Sequence, residues 1–101
     1  MSDSNLGFLT ALEEIIVERK KSPAEGSYTS ELFAAGQQRI AQKVGEEAIE
    51  VALASTSGNR EATLNESADL LYHLLVLLTD QGIRLSDVTD TLKQRHKGHE
   101  A

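Results

Sequence analysis

The sequence has no cysteine, no tryptophan, one proline and few aromatic residues, which make up 4% of its 101 residues. Without cysteine the chain forms no disulfide bond and offers no thiolate, so a bound metal would use oxygen or imidazole ligands. Ligands of this kind favour hard cations. The scarcity of proline and the abundance of Ala, Leu and Glu favour helix over strand. The composition therefore predicts an all-α protein.

The chain also lacks long apolar runs and an excess of positive charge. No stretch approaches the roughly 18 apolar residues of a membrane span, and residues 1–10 do not resemble a secretory signal. The net charge of -6 argues against a nucleic-acid surface, which needs Lys and Arg to neutralise phosphates. We therefore expect a cytoplasmic protein that binds neither membranes nor nucleic acid. Its length predicts a single domain over residues 1–101, with an ordered core of about 6–97.

Apolar residues at three- and four-residue spacing predict four helical segments. They cover about 6–21, 31–54 and 60–81, and the last begins near Ser86. Irregularity is expected at Gly36 and Gly45, a left-handed helix cap at Gly82, and fraying over 97–101. Short loops join antiparallel neighbours, so we expect an antiparallel four- to five-helix bundle, completed by homodimerisation.

Two polar clusters near the first loop each allow two interpretations. Basic residues end the first segment, where they complement a helix dipole or contact a substrate phosphate. Hydroxyl groups end the loop of residues 22–30, where they cap the next helix, at Thr29 or Ser30, or bind phosphate. We favour the helix-end role for both clusters. The candidate phosphate contacts are Arg19, Lys20, Lys21, Ser27, Tyr28 and Thr29, together with Lys43.

Acidic residues interrupt the apolar faces of the second and third segments. At 100° per residue, Glu47 falls inside the edge of an apolar stripe, and Glu50 lies beside it. In the third segment, Glu66 and Asp69 share one polar stripe with His73, whereas almost every other direction is apolar. Antiparallel helices would bring the four carboxylates together, and their mutual repulsion calls for a multivalent cation. Mg²⁺ fits such oxygen ligands, with Mn²⁺ as the alternative.

Each acidic residue also has an interpretation that needs no metal. Acids on a solvated face pair with a neighbouring lysine, a glutamate closes a capping box, and an aspartate hydrogen-bonds a core histidine. The pairs are Lys43 with Glu46 or Glu47, Glu66 with Thr63, and Asp69 with His73. All three would have to hold at once, so we favour the metal site. His73 itself is expected in the core or supporting a metal ligand. A di-iron bundle is disfavoured because no Glu-x-x-His motif is present.

The stretches KVGEEAIE, residues 43–50, and NESADLLYHLL, residues 65–75, resemble the all-α nucleotide pyrophosphohydrolases, whose signature is EExxE followed by ExxD. Within that superfamily, EGSYTS at 25–30 makes the sequence most similar to the phosphoribosyl-ATP pyrophosphatase family of histidine biosynthesis. The resemblance covers about residues 6–97. It implies a Mg²⁺-dependent homodimer that hydrolyses phosphoribosyl-ATP to phosphoribosyl-AMP and pyrophosphate.

Carried over by position, the resemblance also implies roles for single residues. Glu47, Glu50, Glu66 and Asp69 would be metal ligands, and Glu46 would hold a second ion or orient water. Apart from the resemblance, Glu46 and Glu47 are our candidates to accept a proton from the attacking water. Two other functions stay open: a house-cleaning pyrophosphatase acting on dNTPs, and a non-catalytic helical dimerisation module. Homodimerisation is also expected from the residues, since one short chain has few helices to cover every side of Leu70–Leu78.

Overall fold

The computed structural model describes residues 2–98, with side chains from residue 5 onward, and it consists of helices joined by short loops. No strand occurs in this range, so the all-α prediction is confirmed. None of these helices has the length and apolarity needed to cross a membrane. The fraying expected over 97–101 falls mostly on 99–101, outside the described residues. The five helices are α1 (Ser2–Lys21), α2 (Tyr28–Ala35), α3 (Gln37–Thr56), α4 (Arg60–Asp80) and α5 (Leu85–Gly98).

Gly36 divides the second predicted helical segment into α2 and α3. Its φ of 103° lies in the region that L-residues rarely adopt, so the chain changes direction there at little steric cost. Gly45 behaves differently, because α3 continues through it without interruption. The irregularity expected at Gly45 is therefore wrong. At the end of α4, Gly82 has a φ of 75°, as predicted for a left-handed cap.

The start of α2 corrects the predicted capping residue. The N-cap is Ser27, whose Oγ accepts a hydrogen bond from the backbone N–H of Ser30 at 3.1 Å. The prediction of Thr29 or Ser30 was wrong because the Ser30 hydroxyl has another partner. Its Oγ accepts the backbone N–H of Ala24 at 3.0 Å and closes the preceding loop. The helix consequently begins earlier than its hydroxyl-rich sequence indicated.

The hydrophobic core joins the first four helices. Its fully buried side chains are Ile16 of α1, Leu32 of α2, Ile40 of α3, and Leu75 and Val76 of α4. Burying one such side chain contributes about 1.5–3 kcal/mol. Helix α5 supplies no buried residue, although the half-buried Leu85 at its start packs against this core. The core therefore lies at the end of the α3–α4 pair that contains Ile40 and Val76.

Helices α3 and α4 form an antiparallel hairpin through a turn at residues 57–59. The turn contains Gly58 with a φ of 77°, and the Oδ1 atom of Asn59 caps α4 by accepting the N–H of Ala62 at 3.0 Å. No residue from Ala41 to Tyr72 is fully buried. We call residues 41–72 the hairpin arm. Its helices cover one another on one side, and α2 contacts the arm at Tyr72, whereas Ile49, Leu53 and Leu64 remain exposed.

The structure changes the expectation that a single chain has too few helices to cover residues 70–78. Leu75, Val76 and Leu78 are buried by helices of the same chain, so a single chain covers much of this segment after all. Leu71 remains 39% exposed. The uncovered apolar surface instead lies nearer the turn of the hairpin, where Leu53 is 61% exposed.

Candidate metal centre

The hairpin brings three of the predicted carboxylates together. Glu47 projects from α3, and Glu66 and Asp69 project from α4, with one carboxylate oxygen of each lying within 4.8 Å of the others. Residues three apart on a helix share a face, which places Glu66 and Asp69 side by side. The antiparallel course of α3 then sets Glu47 opposite them. These three residues form what we call the carboxylate cluster.

The cluster fits a hard divalent cation by the chemistry and spacing of its atoms. All three donors are carboxylate oxygens, the ligand type that Mg²⁺ and Mn²⁺ prefer. Octahedral ligands at 2.0–2.1 Å from Mg²⁺ lie roughly 3–4 Å apart, close to the spread of the three oxygens. Glu47 and Glu66 are half-buried and Asp69 is exposed, so the cluster also remains open to a ligand.

Glu50 stands slightly apart from the cluster, but its charge acts on it. The pKa of Glu66 is raised by desolvation and, next in size, by the carboxylates of Glu50, Asp69 and Glu47. Among these carboxylates, Glu50 has the largest effect, although its oxygens are not part of the close group. The other three predicted ligands therefore all repel the charge of Glu66 in the absence of a cation. A bound divalent ion would remove that repulsion.

Lys43 is the cation nearest to these acids on α3. Its Nζ lies 3.3 Å from a Glu47 oxygen and 3.6 Å from a Glu46 oxygen. Burial lowers the pKa of Lys43, but the hydrogen bond to Glu47 and the nearby Tyr28 and Glu46 raise it overall. The Lys43 and Glu47 side chains are only 19% and 12% exposed. This pair therefore exists, as the metal-free interpretation expected, but it is not on a solvated face.

The other two metal-free interpretations are wrong. Helix α4 is capped by Asn59, and the hydroxyl of Thr63 donates to the backbone carbonyl of Asn59, so Glu66 closes no capping box. The Nδ1 atom of His73 donates to the backbone carbonyl of Asp69 at 2.7 Å, rather than to its carboxylate. The carboxylates of Glu66 and Asp69 are thus left without these structural partners.

The hydroxyl cluster of the first loop lies against α4. Ser27 caps α2, as described above, which explains its hydroxyl structurally. The Tyr28 hydroxyl is 3.0 Å from Nε2 of His73, and the Thr29 hydroxyl shares a hydrogen bond with that of Tyr72. Tyr28 nevertheless remains 46% exposed. The sequence alone did not indicate that Tyr72 and His73 hold the start of α2.

The basic cluster at the end of α1 is separated from the carboxylates. The Nζ atom of Lys20 donates to the backbone carbonyls of Thr79 and Asp80, each at 3.2 Å, at the end of α4. Residues 69 and 79 are ten positions apart on this helix, or about 15 Å along its axis. Lys20 therefore stabilises a helix end. Arg19 and Lys21 lie in the same last turn of α1, and among the described residues neither forms an ion pair with the carboxylate cluster.

A buried carboxylate that the sequence did not single out is Glu13 of α1. Its Oε2 accepts the backbone N–H of Leu85 at 2.6 Å and the Nε–H of Arg84 at 3.1 Å. Hydrogen bonding to Arg84 lowers the pKa of Glu13, against an opposing effect of burial. A glutamate set among Leu9, Leu12 and Ile16 on one helix face was the available signal. Glu13 fastens the start of α5 to α1.

These features define a class of protein: an all-α fold in which a two-helix hairpin carries a carboxylate cluster suited to a divalent cation. The sequence profile of the family described as phosphoribosyl-ATP pyrophosphohydrolase matches residues 9–96 of the chain. The chain therefore belongs to the phosphoribosyl-ATP pyrophosphohydrolase family, and the resemblance noted in its sequence is confirmed.

Similar proteins carry the name histidine biosynthesis bifunctional protein HisIE. The chain is 54% identical to that of Vibrio cholerae over 95 residues, covering 94% of this chain and 45% of the relative. It is 57% identical to that of Photobacterium profundum over 91 residues, covering 90% and 44%. For Escherichia coli strain K12 the identity is 53% over 90 residues, covering 89% and 44%. The chain thus spans about half the length of these relatives.

Proposed function

We propose that this chain hydrolyses phosphoribosyl-ATP to phosphoribosyl-AMP and pyrophosphate in histidine biosynthesis. The observation that carries the proposal is the carboxylate cluster in a chain of this family. Membership over residues 9–96 supports the substrate, and the three converging oxygens support a hydrolytic site that works with a divalent cation. The names of the bifunctional relatives support the same biosynthetic pathway.

In this proposal Glu47, Glu66 and Asp69 hold Mg²⁺, or Mn²⁺, and Glu50 moves in as a fourth ligand. When bound, the cation neutralises phosphate charge and acidifies coordinated water. Glu50 is exposed and its charge already acts on Glu66, so its side chain has room to turn toward the cluster. The half-buried position of Glu47 and Glu66 limits how far their oxygens move when the substrate binds.

The remaining charged residues of α3 have separate roles. Lys43, already beside Glu47, offers its ammonium group to the oxygens of the departing pyrophosphate. Glu46 is the candidate to accept a proton from the attacking water, because it lies 3.6 Å from the Lys43 ammonium group and its side chain, 48% exposed, is open to water. Its Oε2 atom accepts a hydrogen bond from Gln42 at 2.9 Å, which orients the carboxylate along α3. Glu47 stays the second candidate, although its pairing with Lys43 favours a binding role.

One assay tests this function: release of pyrophosphate from phosphoribosyl-ATP with Mg²⁺, beside a panel of dNTPs. Turnover of phosphoribosyl-ATP is expected to exceed that of every dNTP. A preference for a dNTP would identify a house-cleaning enzyme instead. Absence of turnover with all substrates, by a folded chain in the presence of Mg²⁺, would leave the non-catalytic dimerisation module.

Amide substitutions test the assignment of residues. Glu47→Gln and Asp69→Asn should each keep the fold and abolish activity, because each removes a charged ligand oxygen. Glu46→Gln should lower kcat by about 10²- to 10⁴-fold if it is the general base. Glu61→Gln is the matched control, since Glu61 is an exposed acid in the first turn of α4, the helix that carries Asp69. Near-normal rates of the Glu47 and Asp69 variants would refute the metal assignment.

We also infer that the chain forms a homodimer through the hairpin arm. No residue of the arm is fully buried, yet its helices carry large apolar side chains on their open sides. A second copy is the partner of matching shape and polarity, because a two-fold interface lets the same apolar surface cover itself. The exposed apolar residues of the arm are Ile49, Leu53, Leu64 and Leu71.

A further inference from the structure

His73 has two hydrogen-bond partners that together determine where its proton lies. Its side chain is buried, with 6% of the residue exposed. The Nδ1 atom is 2.7 Å from the backbone carbonyl oxygen of Asp69. A carbonyl oxygen only accepts hydrogen bonds, so Nδ1 must carry a hydrogen. This requirement follows from the backbone of α4 and does not depend on any side-chain carboxylate.

The second partner then has to donate. A neutral imidazole carries one N–H group, so a proton on Nδ1 leaves Nε2 as an acceptor. Among the described residues the two hydrogen-bond partners of His73 are a carbonyl and a hydroxyl, so no carboxylate is placed to accept a second N–H from the ring. The Tyr28 hydroxyl, 3.0 Å from Nε2, therefore donates its only proton to His73. The phenol oxygen has then no hydrogen left to donate, and its lone pairs can accept a hydrogen bond from another group.

The Tyr28 side chain lies near the metal centre, because its charge acts on Lys43, which pairs with Glu47. His73 is one helical turn after Asp69, so a single imidazole ring separates the Tyr28 hydroxyl from the backbone of a cluster residue. Tyr28 stacks on Tyr72 with ring centroids 6.2 Å apart, which fixes the plane of the phenol. With 46% of its surface exposed, Tyr28 is still open to a ligand at the start of α2.

We propose that His73 is a positioning residue that makes the Tyr28 hydroxyl a hydrogen-bond acceptor for a sugar hydroxyl of the substrate. Phosphate oxygens are acceptors at neutral pH, so they do not match an oxygen whose proton is already committed. The sugar hydroxyls of a phosphoribosyl nucleotide are donors and do match. Tyr28 thereby changes from a candidate phosphate contact to a group that reads the sugar, an assignment that rests on the proposed function.

The orientation itself is tested without any substrate. In the folded chain labelled with ¹⁵N, long-range nitrogen–proton correlations report which imidazole nitrogen of His73 carries the hydrogen. We expect a protonated Nδ1 and an unprotonated Nε2 at pH 7.5. The same tautomer should persist in Tyr28→Phe, because the Asp69 carbonyl is unchanged. A hydrogen on Nε2 in the unsubstituted chain would overturn the proposal whatever the enzyme's substrate is.

Three variants test the role in binding. Tyr28→Phe removes the acceptor and should raise KM for phosphoribosyl-ATP about three- to tenfold, the value of one neutral hydrogen bond, with little change in kcat. Gln and Asn at position 73 form a matched pair, because the Gln oxygen reaches the site of Nε2 whereas the Asn amide ends near Nδ1. His73→Gln should keep a near-normal KM, and His73→Asn should raise KM as Tyr28→Phe does.

The double variant Tyr28→Phe, His73→Asn should have a KM no higher than either single variant, because both changes break one chain of hydrogen bonds. The decisive comparison uses analogues of phosphoribosyl-ATP that each lack one sugar hydroxyl. One of these analogues should bind the unsubstituted chain more weakly than phosphoribosyl-ATP does, whereas Tyr28→Phe should bind the two equally well. Unchanged KM in Tyr28→Phe, with normal turnover by the unsubstituted chain, would refute this inference alone. No turnover by the unsubstituted chain would refute the proposed function, and the tautomer measurement would still decide the hydroxyl orientation.

Discussion

Replacing Leu53 with Gln should strongly weaken the homodimer that we propose, while leaving the monomer folded. Leu53 is 61% exposed on the open side of the hairpin arm. Full burial of a leucine side chain contributes about 1.5–3 kcal/mol, so covering this exposed fraction contributes about 1–2 kcal/mol. A two-fold interface covers the residue twice, which gives about 2–4 kcal/mol per dimer. The dissociation constant should therefore rise about 30- to 700-fold.

Sedimentation velocity over a range of micromolar concentrations measures this change, and circular dichroism checks that helix content is kept. Leu6→Gln is the matched control, because Leu6 is 63% exposed on α1 and lies outside the arm. We expect the control to sediment as the unsubstituted chain does. If Leu53→Gln remained fully dimeric while Leu6→Gln dissociated, the interface would lie on α1 and the reasoning from the arm would be refuted. A stable monomer of the unsubstituted chain would refute homodimerisation altogether.

Three further predictions concern single charged residues. Glu66→Gln should abolish the thermal stabilisation that Mg²⁺ gives, because it removes a metal ligand. It should not lower the melting temperature in EDTA, because it also removes a charge that the neighbouring carboxylates repel. A large fall of the melting temperature in EDTA would contradict this. Glu13→Gln should cost about 1–2 kcal/mol at pH 7 in urea unfolding. The pKa of Glu13 in the folded chain lies below its ordinary 4.5, so this loss of stability should persist above pH 4.5 and shrink as acid protonates the carboxyl. A loss of stability that does not change with pH would exclude the pairing with Arg84 as its cause. Lys20→Met should cost about 0.3–1 kcal/mol through the lost contacts at the α4 end and leave KM unchanged. Lys21→Met, its control, should lower stability by less. A raised KM in Lys20→Met would instead support the earlier prediction that Lys20 contacts a substrate phosphate.

The convergence of the acids could be predicted because it depends on periodicity alone. Once two amphipathic segments are joined by a short turn, the faces of Glu47 and of Glu66 with Asp69 must oppose each other. The αL cap at Gly82 was predictable for a similar reason, since it depends on one residue's conformational freedom. These features are local, or follow from one antiparallel pairing. The antiparallel pairing of α3 and α4 was itself predictable, because a turn of three residues joins them.

Features that depend on three-dimensional partners were not predictable. Lys20 looked like a phosphate contact or the end of its own helix, but it caps the end of another helix 59 positions away in sequence. Ser30 looked like an N-cap, but its hydroxyl is committed to Ala24. No role was predicted for Glu13, because its partner, Arg84, lies 71 positions away in sequence. In each case the side chain could satisfy several local roles, and a distant group selected among them.

The hairpin arm combines two features that are unfavourable for an isolated chain: mutually repelling carboxylates and uncovered apolar side chains. The core at Ile40, Leu75 and Val76 holds one end of the hairpin, but none of the residues that the structure describes buries the other end. Regions with few buried contacts are the first to open locally. A divalent cation would join α3 to α4 across the acids, and a second copy would cover the apolar sides. In the proposed enzyme both ligands therefore stabilise the same arm, so Mg²⁺ should protect it from hydrogen exchange more than it protects α1.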